Sequence, residues 1–460
     1  MAERQMHLGV FTYPGGHHIA GWRHGSVQPR DILGYDYYCR TAQAAERGKF
    51  DLVFVGDMLA AREKDGRVIA QGALNNIDSI SILSAVAGAT ERVGLVATLS
   101  TTYNEPFAIA QRFASLDHLS GGRAGWNIIT TANDDAALNF SRKSHMEKTM
   151  RYQRAREFVD ICKGLWDGWE DGAVTADRAS GAFVDTGKVR ELDHKGQFFA
   201  VKGALDLPRS PQGWPVMVQA GGSPAGLEFA ATVAELIFAA QSNRQEAIKF
   251  RAAVKQRMPG HGRDPAILKV LPGLLPILGS TEKEALEKET MLNDLLHPAV
   301  GIWMLSEQMQ FRLYDYPQDG PLPTADIRAG GSAFTPRVMH LMERADREGL
   351  SVRDCGVLVA ASRSHGSFVG TPEQLVDHMK LWLDEGACDG FNVMPAYFHD
   401  EMDLFVDQVV PILQRRGLFR RDYEGTTLRH HLGLPIRTGL AVRAPQPVAC
   451  SAVSMSWRSP

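Results

Sequence analysis

VGLVATLSTTYNEPFAIAQRFASLDHLSGGRAGWNIIT (residues 93–130) is the stretch whose reading decides the fold. Two apolar runs, 93–100 and 123–130, flank a segment of helical spacing at 106–119. Neither run alternates apolar with polar, the pattern of parallel strands buried on both faces. The same unit recurs outward in both directions. Further strand-like runs lie at 7–13 (HLGVFTY), 51–57 (DLVFVGD), 215–220 (PVMVQA), 236–240 (LIFAA), 268–278 and 390–395 (GFNVMP). Helical segments fall at 37–49, 77–90, 151–166, 224–234 and 372–385, and several open on a cap followed by Pro, as at Ser223-Pro224 and Thr371-Pro372. Eight strands alternating with helices are the pattern of an α/β, (β/α)₈ barrel. An open doubly wound sheet gives the same alternation, but no GxGxxG turn follows the first strand to open a dinucleotide fold.

The chain has 460 residues, 44% hydrophobic and 22% charged, a globular composition that excludes a disordered or fibrous chain. Fifty Lys and Arg against 53 Asp and Glu leave a net charge of -3, so no basic field draws nucleic acid or anionic lipid. Cys39, Cys162, Cys355, Cys388 and Cys450 are scattered, odd in number and free of CxxC pairs, which argues against disulfides and thiolate metal sites and for a reducing cytoplasm. No export signal and no 18-residue apolar run is present, so no membrane partner is expected.

Two stretches break the rhythm. Residues 167–214 are rich in Gly, Asp and Lys, and residues 281–351 mix helical pieces with loop signals such as YPQDGPLPTADIRAGG. Both read as insertions in one barrel unit of residues 1–425, the second as a lid or binding insertion. Residues 426–460 read as a tail, with His430-His431 solvated and the end poorly ordered.

Barrel chemistry sits at the C-terminal ends of the strands. Those ends carry Asp57, Thr98 to Thr102 (with Leu99 between), Asn127, Thr130, Thr131 and Gln219, while the first strand runs into a turn bearing His17 and His18. Any one of these could be an ordinary helix cap; the whole set is harder to explain so. AGGSPAG (residues 220–226) follows a strand and opens a helix at Ser223, a geometry suited to a phosphate and equally to a plain loop-to-helix start. Arg151 and Tyr152 could add a cation and a phenol, or be a surface Arg and a half-buried Tyr. No HExxH, GxSxG or GxxxxGK[ST] occurs, so neither a metal site nor a covalent nucleophile is expected, which favours a cofactor with its own reactivity.

Several long segments resemble one family. They are TTYNEPFAIAQRFASLDHLSGGRAGWNIITT (101–131), RYQRAREFVDICKGLWDGW (151–169), DHKGQFFAVKG (193–203) and PVMVQAGGSPAGLEFAATVAELIF (215–238). HHIAGWRH, AERGKFDLVFVGD and RRGLFRRDYEGTTLRHHLGL extend the likeness over nearly the whole chain. The family is that of nitrilotriacetate, dibenzothiophene-sulfone and long-chain alkane monooxygenases, within the bacterial-luciferase-like flavin monooxygenases. The resemblance implies a luciferase-like (β/α)₈ barrel that takes FMNH₂ from a separate NAD(P)H:flavin reductase and forms a C4a-(hydro)peroxyflavin with O₂. One oxygen atom then enters a small organic substrate. It further implies a homodimer or homotetramer, because barrels of this group bury helical faces between subunits. By the same resemblance Asp57, Thr98 and Asn127 would contact the flavin ring or ribityl chain. Lys148, Tyr152, Ser223 and the backbone of Gly222 would hold its phosphate, and His18 would be catalytic.

This chain departs from the relatives at three places. Lys148 stands where they carry His, and Ala132 and Gly15 replace a His and a Cys of the alkane-oxidising relative. Alkane hydroxylation is therefore disfavoured, and polar or heteroaromatic substrates stay open. A deazaflavin-dependent hydride transferase and a non-catalytic flavin binder are the rival readings. Trp303, Tyr314, Tyr316, Phe334 and Arg337 could line a pocket or pack the insertion; Arg62 and Arg67 could bind an acidic substrate or simply be solvated.

Overall fold

The computed structural model describes residues 4–61, 63–64, 67–68, 77–330, 334, 336–363 and 365–436. Strands β1 (His7–Thr12), β2 (Leu52–Val55), β3 (Gly94–Ser100), β4 (Ala124–Ile129), β5 (Val216–Gln219), β6 (Leu236–Ala239) and β7 (Lys269–Leu278) pair in parallel, each with the next. A short strand, β8 (Gly366–Gly370), and a last one, β9 (Gly390–Val393), follow. β9 pairs with both β7 and β1, which closes an eight-stranded ring. All eight barrel strands fall where the apolar runs place them. β8 has no counterpart among those expectations. It pairs only with Leu274–Leu278, so the long β7 serves the barrel with its first half and β8 with its second.

The seam between β9 and β1 requires a glycine. Gly390 has φ +148°, and a Cβ there would sit 1.9 Å from the His7 carbonyl oxygen. Helices cover the ring: α1 (Tyr35–Arg47), α2 (Ser79–Ala87), α3 (Pro106–Ser120), α4 (Lys148–Trp166), α5 (Pro224–Val233) and α6 (Arg244–Arg257). Local sequence sets their ends. Pro106 opens α3, and Gly121 in the left-handed region closes it.

Residues 281–351 carry, among the described residues, helices α7 (Glu282–Asp294), α8 (Pro298–Met309), α9 (Thr324–Ala329) and α10 (Pro336–Glu348), with turns over 310–323 where the loop signals fall; α11 (Val352–Ser362) follows and, beyond β8, α12 (Pro372–Asp384). The insertion has its own apolar cluster, including Leu305, Met309, Leu313, Met342 and Val359, against which Tyr314, Tyr316 and Phe334 pack. Of the two readings left open for these three aromatics, packing holds. The side chains of Arg62, Arg67 and Arg337 lie outside the described residues.

At the N-terminal ends of the strands several long polar side chains are fully engaged. The buried Arg123 donates to the Ser120, Val93, Ala87 and Thr90 carbonyls and to the Thr90 hydroxyl at 2.7–2.9 Å. Asp117 accepts from the Ala124 amide (3.0 Å) and from the Gln212 amide and side chain (3.2 and 2.6 Å). Arg429, with no exposed surface, forms a two-armed pair with Glu235 at 3.0 and 2.9 Å. Thr427 caps a turn of helix (Leu428–His431), and Leu428, Leu432 and Leu434 are buried. The first residues expected in the tail are thus part of the barrel base. His431, expected to be solvated, is 4% exposed because it packs against the Tyr423 ring, 4.7 Å away; only His430 faces solvent. Residues 437–460 lie outside the described residues.

Candidate active site

The opposite end of the barrel is built differently. Phe11, Phe54 and Phe238, from β1, β2 and β6, meet in the barrel interior with centroids 5.1–5.3 Å apart. His17 lies against Phe11 at 4.6 Å, and His365 stacks on Phe238 at 5.1 Å. Between these rings and the strand ends sit polar atoms that the protein leaves unsatisfied: Asn127 Oδ1, Gln219 Oε1, His17 Nδ1 and Arg363 Nη2. An unmet buried polar atom costs about 1–3 kcal/mol, so a group of them at the C-terminal ends of the barrel strands marks a candidate binding site.

Thr98 has a positioning part here. Its hydroxyl donates to the Val55 carbonyl (2.8 Å) and accepts from Asn127 Nδ2 (3.0 Å), which turns Asn127 Oδ1 toward the interior. The threonines beyond it are consumed structurally. Thr101 and Thr102 donate to the Ile129 and Thr130 carbonyls, and Thr131 donates to Ser100 at 2.7 Å.

The histidine turn is fixed by close backbone packing. Gly16, at φ +116°, lies where a Cβ would be 2.3 Å from the Ala396 carbonyl oxygen, and the His17 and His18 amides donate to Pro395 and Ala396. This phase separates the two rings. His17 Nε2 bonds the Phe11 carbonyl at 2.7 Å, which leaves Nδ1 as a buried acceptor without a protein partner. His18, given the catalytic part from sequence, has both nitrogens engaged: Nδ1 accepts from the Ala20 amide (3.3 Å) and Nε2 meets Asn293 Oδ1 on α7 (3.1 Å). It pins the insertion to the β1 loop, as does the apolar cluster of Ile19, Ala20, Leu296, Val300 and Ala360.

Burial holds His17 well below the ordinary imidazole range, with Arg363 adding to the effect, and lowers His18 to about 4. Burial likewise brings His399 and His431 to about 4. The unfolded chain takes up these protons near pH 6.5, whereas the folded one resists until about 4. Their stabilisation is therefore complete above pH 6.5 and lost as pH falls toward 4. The urea midpoint is expected to fall through that window. A flat midpoint between pH 7 and 4.5 would contradict neutral burial of these rings.

Asp57 ends β2, partly exposed, with its carboxyl raised to about 6 by burial and secondarily by Asp78. Near neutrality it changes between hydrogen-bond donor and acceptor. A second polar locus lies at the start of α5. Ser223 caps the helix by accepting from the Gly226 amide at 3.2 Å, and its hydroxyl hydrogen is left for a ligand. A Cβ on Gly222 would meet nothing within 4 Å, so space opens before the helix end. Tyr152 Oη is 3.1 Å from where a Cβ on Gly226 would stand. Lys148 begins α4 one turn before Tyr152 and is exposed, while Arg151 is turned onto the Thr130 and Thr131 carbonyls. The positive end of α5, a hydroxyl and the phenol of the adjacent helix suit a phosphate; the buried Asn127 and Gln219 oxygens suit N–H or O–H groups of a polar ring. The residues present therefore fit FMN.

Arg363, His365 and Asn293 escaped the sequence reading. Arg363 and His365 stand just before β8, a strand too short and Gly-bounded to show, and no local spacing ties Asn293 to His18. Among the described residues, no group of three or more His, Cys, Asp or Glu is arranged to hold a metal, and no helix is long and apolar enough to cross a membrane.

Barrel and mouth together define an α/β barrel with a candidate site at the C-terminal ends of the strands. The luciferase-like monooxygenase family model matches residues 6–388. N-acetyl-S-(2-succino)cysteine monooxygenase of Bacillus subtilis (strain 168) is 47% identical over 94% of this chain and 97% of its own. Nitrilotriacetate monooxygenase component A of Aminobacter aminovorans is 42% identical over the same shares. The structure of EDTA monooxygenase from Chelativorans sp. BNC1 matches 95% of this chain and all of its own, with TM-score 0.77 and 32% identity. The chain belongs to the luciferase-like monooxygenases and is an enzyme of that family.

Proposed function

We propose that the protein is the oxygenase component of a two-component system, taking FMNH₂ from a separate NAD(P)H:flavin reductase and O₂ as co-substrate. When bound, reduced FMN supplies the electrons that activate O₂, so that one oxygen atom passes to a small organic substrate and the other leaves as water. The observation that carries this reading is the group of unsatisfied buried polar atoms, Asn127 Oδ1, Gln219 Oε1 and His17 Nδ1, over an aromatic floor at the mouth of the barrel. Asp57 and Asn127, with Thr98 orienting the latter, bind the ring and ribityl chain. Lys148, Tyr152, Gly222 and Ser223 hold the phosphate. The docked insertion keeps water out, which such chemistry needs. A relative named as a component A supports a separate reductase. Free, buried Cys39, Cys162, Cys355 and Cys388 fit a reducing cytoplasm, and a homodimer or homotetramer fits the helical exterior.

Anaerobic titration with FMNH₂ tests the site. Asp57→Ala and Ser223→Ala are each expected to weaken binding by about 1–3 kcal/mol, the cost of a lost buried hydrogen bond. Unchanged affinity in both variants would remove the assignment. Rapid mixing of the loaded protein with oxygenated buffer tests the chemistry, since flavin oxidation with no oxygenated product from any candidate substrate would favour the hydride-transfer or non-catalytic readings.

A further inference from the structure

Arg363 follows the last turn of α11 in the left-handed region, at φ 49°. Its Nε donates to the His17 carbonyl at 2.9 Å, and its guanidinium carbon stands 3.7 Å from the centre of the Tyr13 ring. Nη2 is buried and has no hydrogen-bond partner. Other arginines of this chain are treated otherwise. Arg123 is surrounded by acceptors, Arg429 is paired with Glu235, and Arg251 meets Asp389 through two nitrogens at 2.9 and 2.8 Å. Among the described residues no carboxylate pairs with Arg363. Stacking on Tyr13 and the bond to His17 fix the plane of its fork, so the cation is held ready with donors unspent.

Its place separates it from the flavin phosphate locus. Tyr13 and His17 follow β1, whereas the Ser223 helix end follows β5, four strands away in a ring of eight and so on the opposite wall. Beside Arg363 stands His17 Nδ1, an acceptor for a ligand hydroxyl or N–H.

We propose that Arg363 is the anion-recognition residue of the substrate site, and that the substrate carries a carboxylate received by the free edge of its guanidinium. The inference rests on the oxygenase reading and deepens it by naming the substrate class. A planar, two-oxygen anion matches the fork, and the buried Nη2 without an acceptor is otherwise a standing cost. Arg363 also ends α11, so the same contact links substrate binding to the seating of the insertion.

Calorimetric titration of the flavin-free protein with succinate, and with succinamide as the uncharged analogue, tests this in wild type, Arg363→Gln and Arg363→Lys. Anaerobic FMNH₂ titrations run in parallel. Succinate is expected to bind wild type and to lose about tenfold or more in Arg363→Gln, as when one charge-assisted hydrogen bond goes, with Arg363→Lys intermediate and succinamide weak throughout. FMNH₂ affinity should stay within about twofold. Should Arg363→Gln fail to fold, phenylglyoxal labelling of the wild type read by peptide mass serves instead, with succinate and not succinamide protecting Arg363. Equal succinate affinity in wild type and Arg363→Gln, or no succinate binding up to about 50 mM, overturns the proposal. So does a loss of FMNH₂ affinity in place of succinate affinity, which would assign the cation to the flavin. Wild type that binds no FMNH₂ strikes the oxygenase reading instead, and a charge-selective succinate site surviving that result still supports Arg363 as the anion anchor.

Discussion

Arg429→Ala is expected to destabilise the protein by about 3–5 kcal/mol, because it strands a buried carboxylate without its partner. Arg429 and Glu235 are 194 residues apart and 0% and 2% exposed as side chains. Two hydrogen bonds join them, while Arg429 Nε and Nη1 reach the Trp214 and Pro435 carbonyls, both at 3.2 Å. Glu235 also accepts from the Met217 amide at 3.1 Å, so the pair ties residues 428–435 to β5 and to the connection ahead of β6. The loss should appear in urea unfolding as a lower midpoint with little change in slope. The double replacement Arg429→Met with Glu235→Leu should recover a large part of it, since it removes both charges and keeps most of the volume. A single variant within about 1 kcal/mol of wild type would show that the base does not depend on this pair.

His17→Ala is expected to have the larger functional effect of the two adjacent histidines. His17 Nδ1 is a buried hydrogen-bond acceptor without a protein partner, kept neutral by burial, and a bound group that donates to it loses about 1–3 kcal/mol when the ring is removed. In the FMNH₂-loaded protein mixed with oxygenated buffer, His17→Ala is expected to give about tenfold more hydrogen peroxide relative to oxygenated product than wild type, the effect of losing one such bond to a bound group. His18→Ala breaks the bond to Asn293 and loosens the insertion, so a lower unfolding midpoint with a smaller change in peroxide release is expected. A peroxide assay during flavin oxidation separates the two. Equal release from His17→Ala and wild type would return His17 to a packing residue.

The amino-acid sequence by itself placed the eight barrel strands, because each is a mainly apolar run, and several helices announce their own ends. The Ser223 cap and Gly121 exit needed nothing beyond their neighbours in the chain. The polar residues at the strand ends were equally legible, as far as their positions went. Tertiary structure alone decided which of them face the mouth. Thr98 and Asn127 look alike in sequence, yet one hydroxyl is spent holding the other's amide. His17 and His18 are neighbours, and only the packing of Gly16 on the Ala396 carbonyl sets which ring points inward. Arg363 meets His17 across 346 residues, and His431 is buried rather than solvated because the chain returns to the barrel base. Such contacts join distant segments, so no local period or spacing records them, and they exist only once the ring has closed.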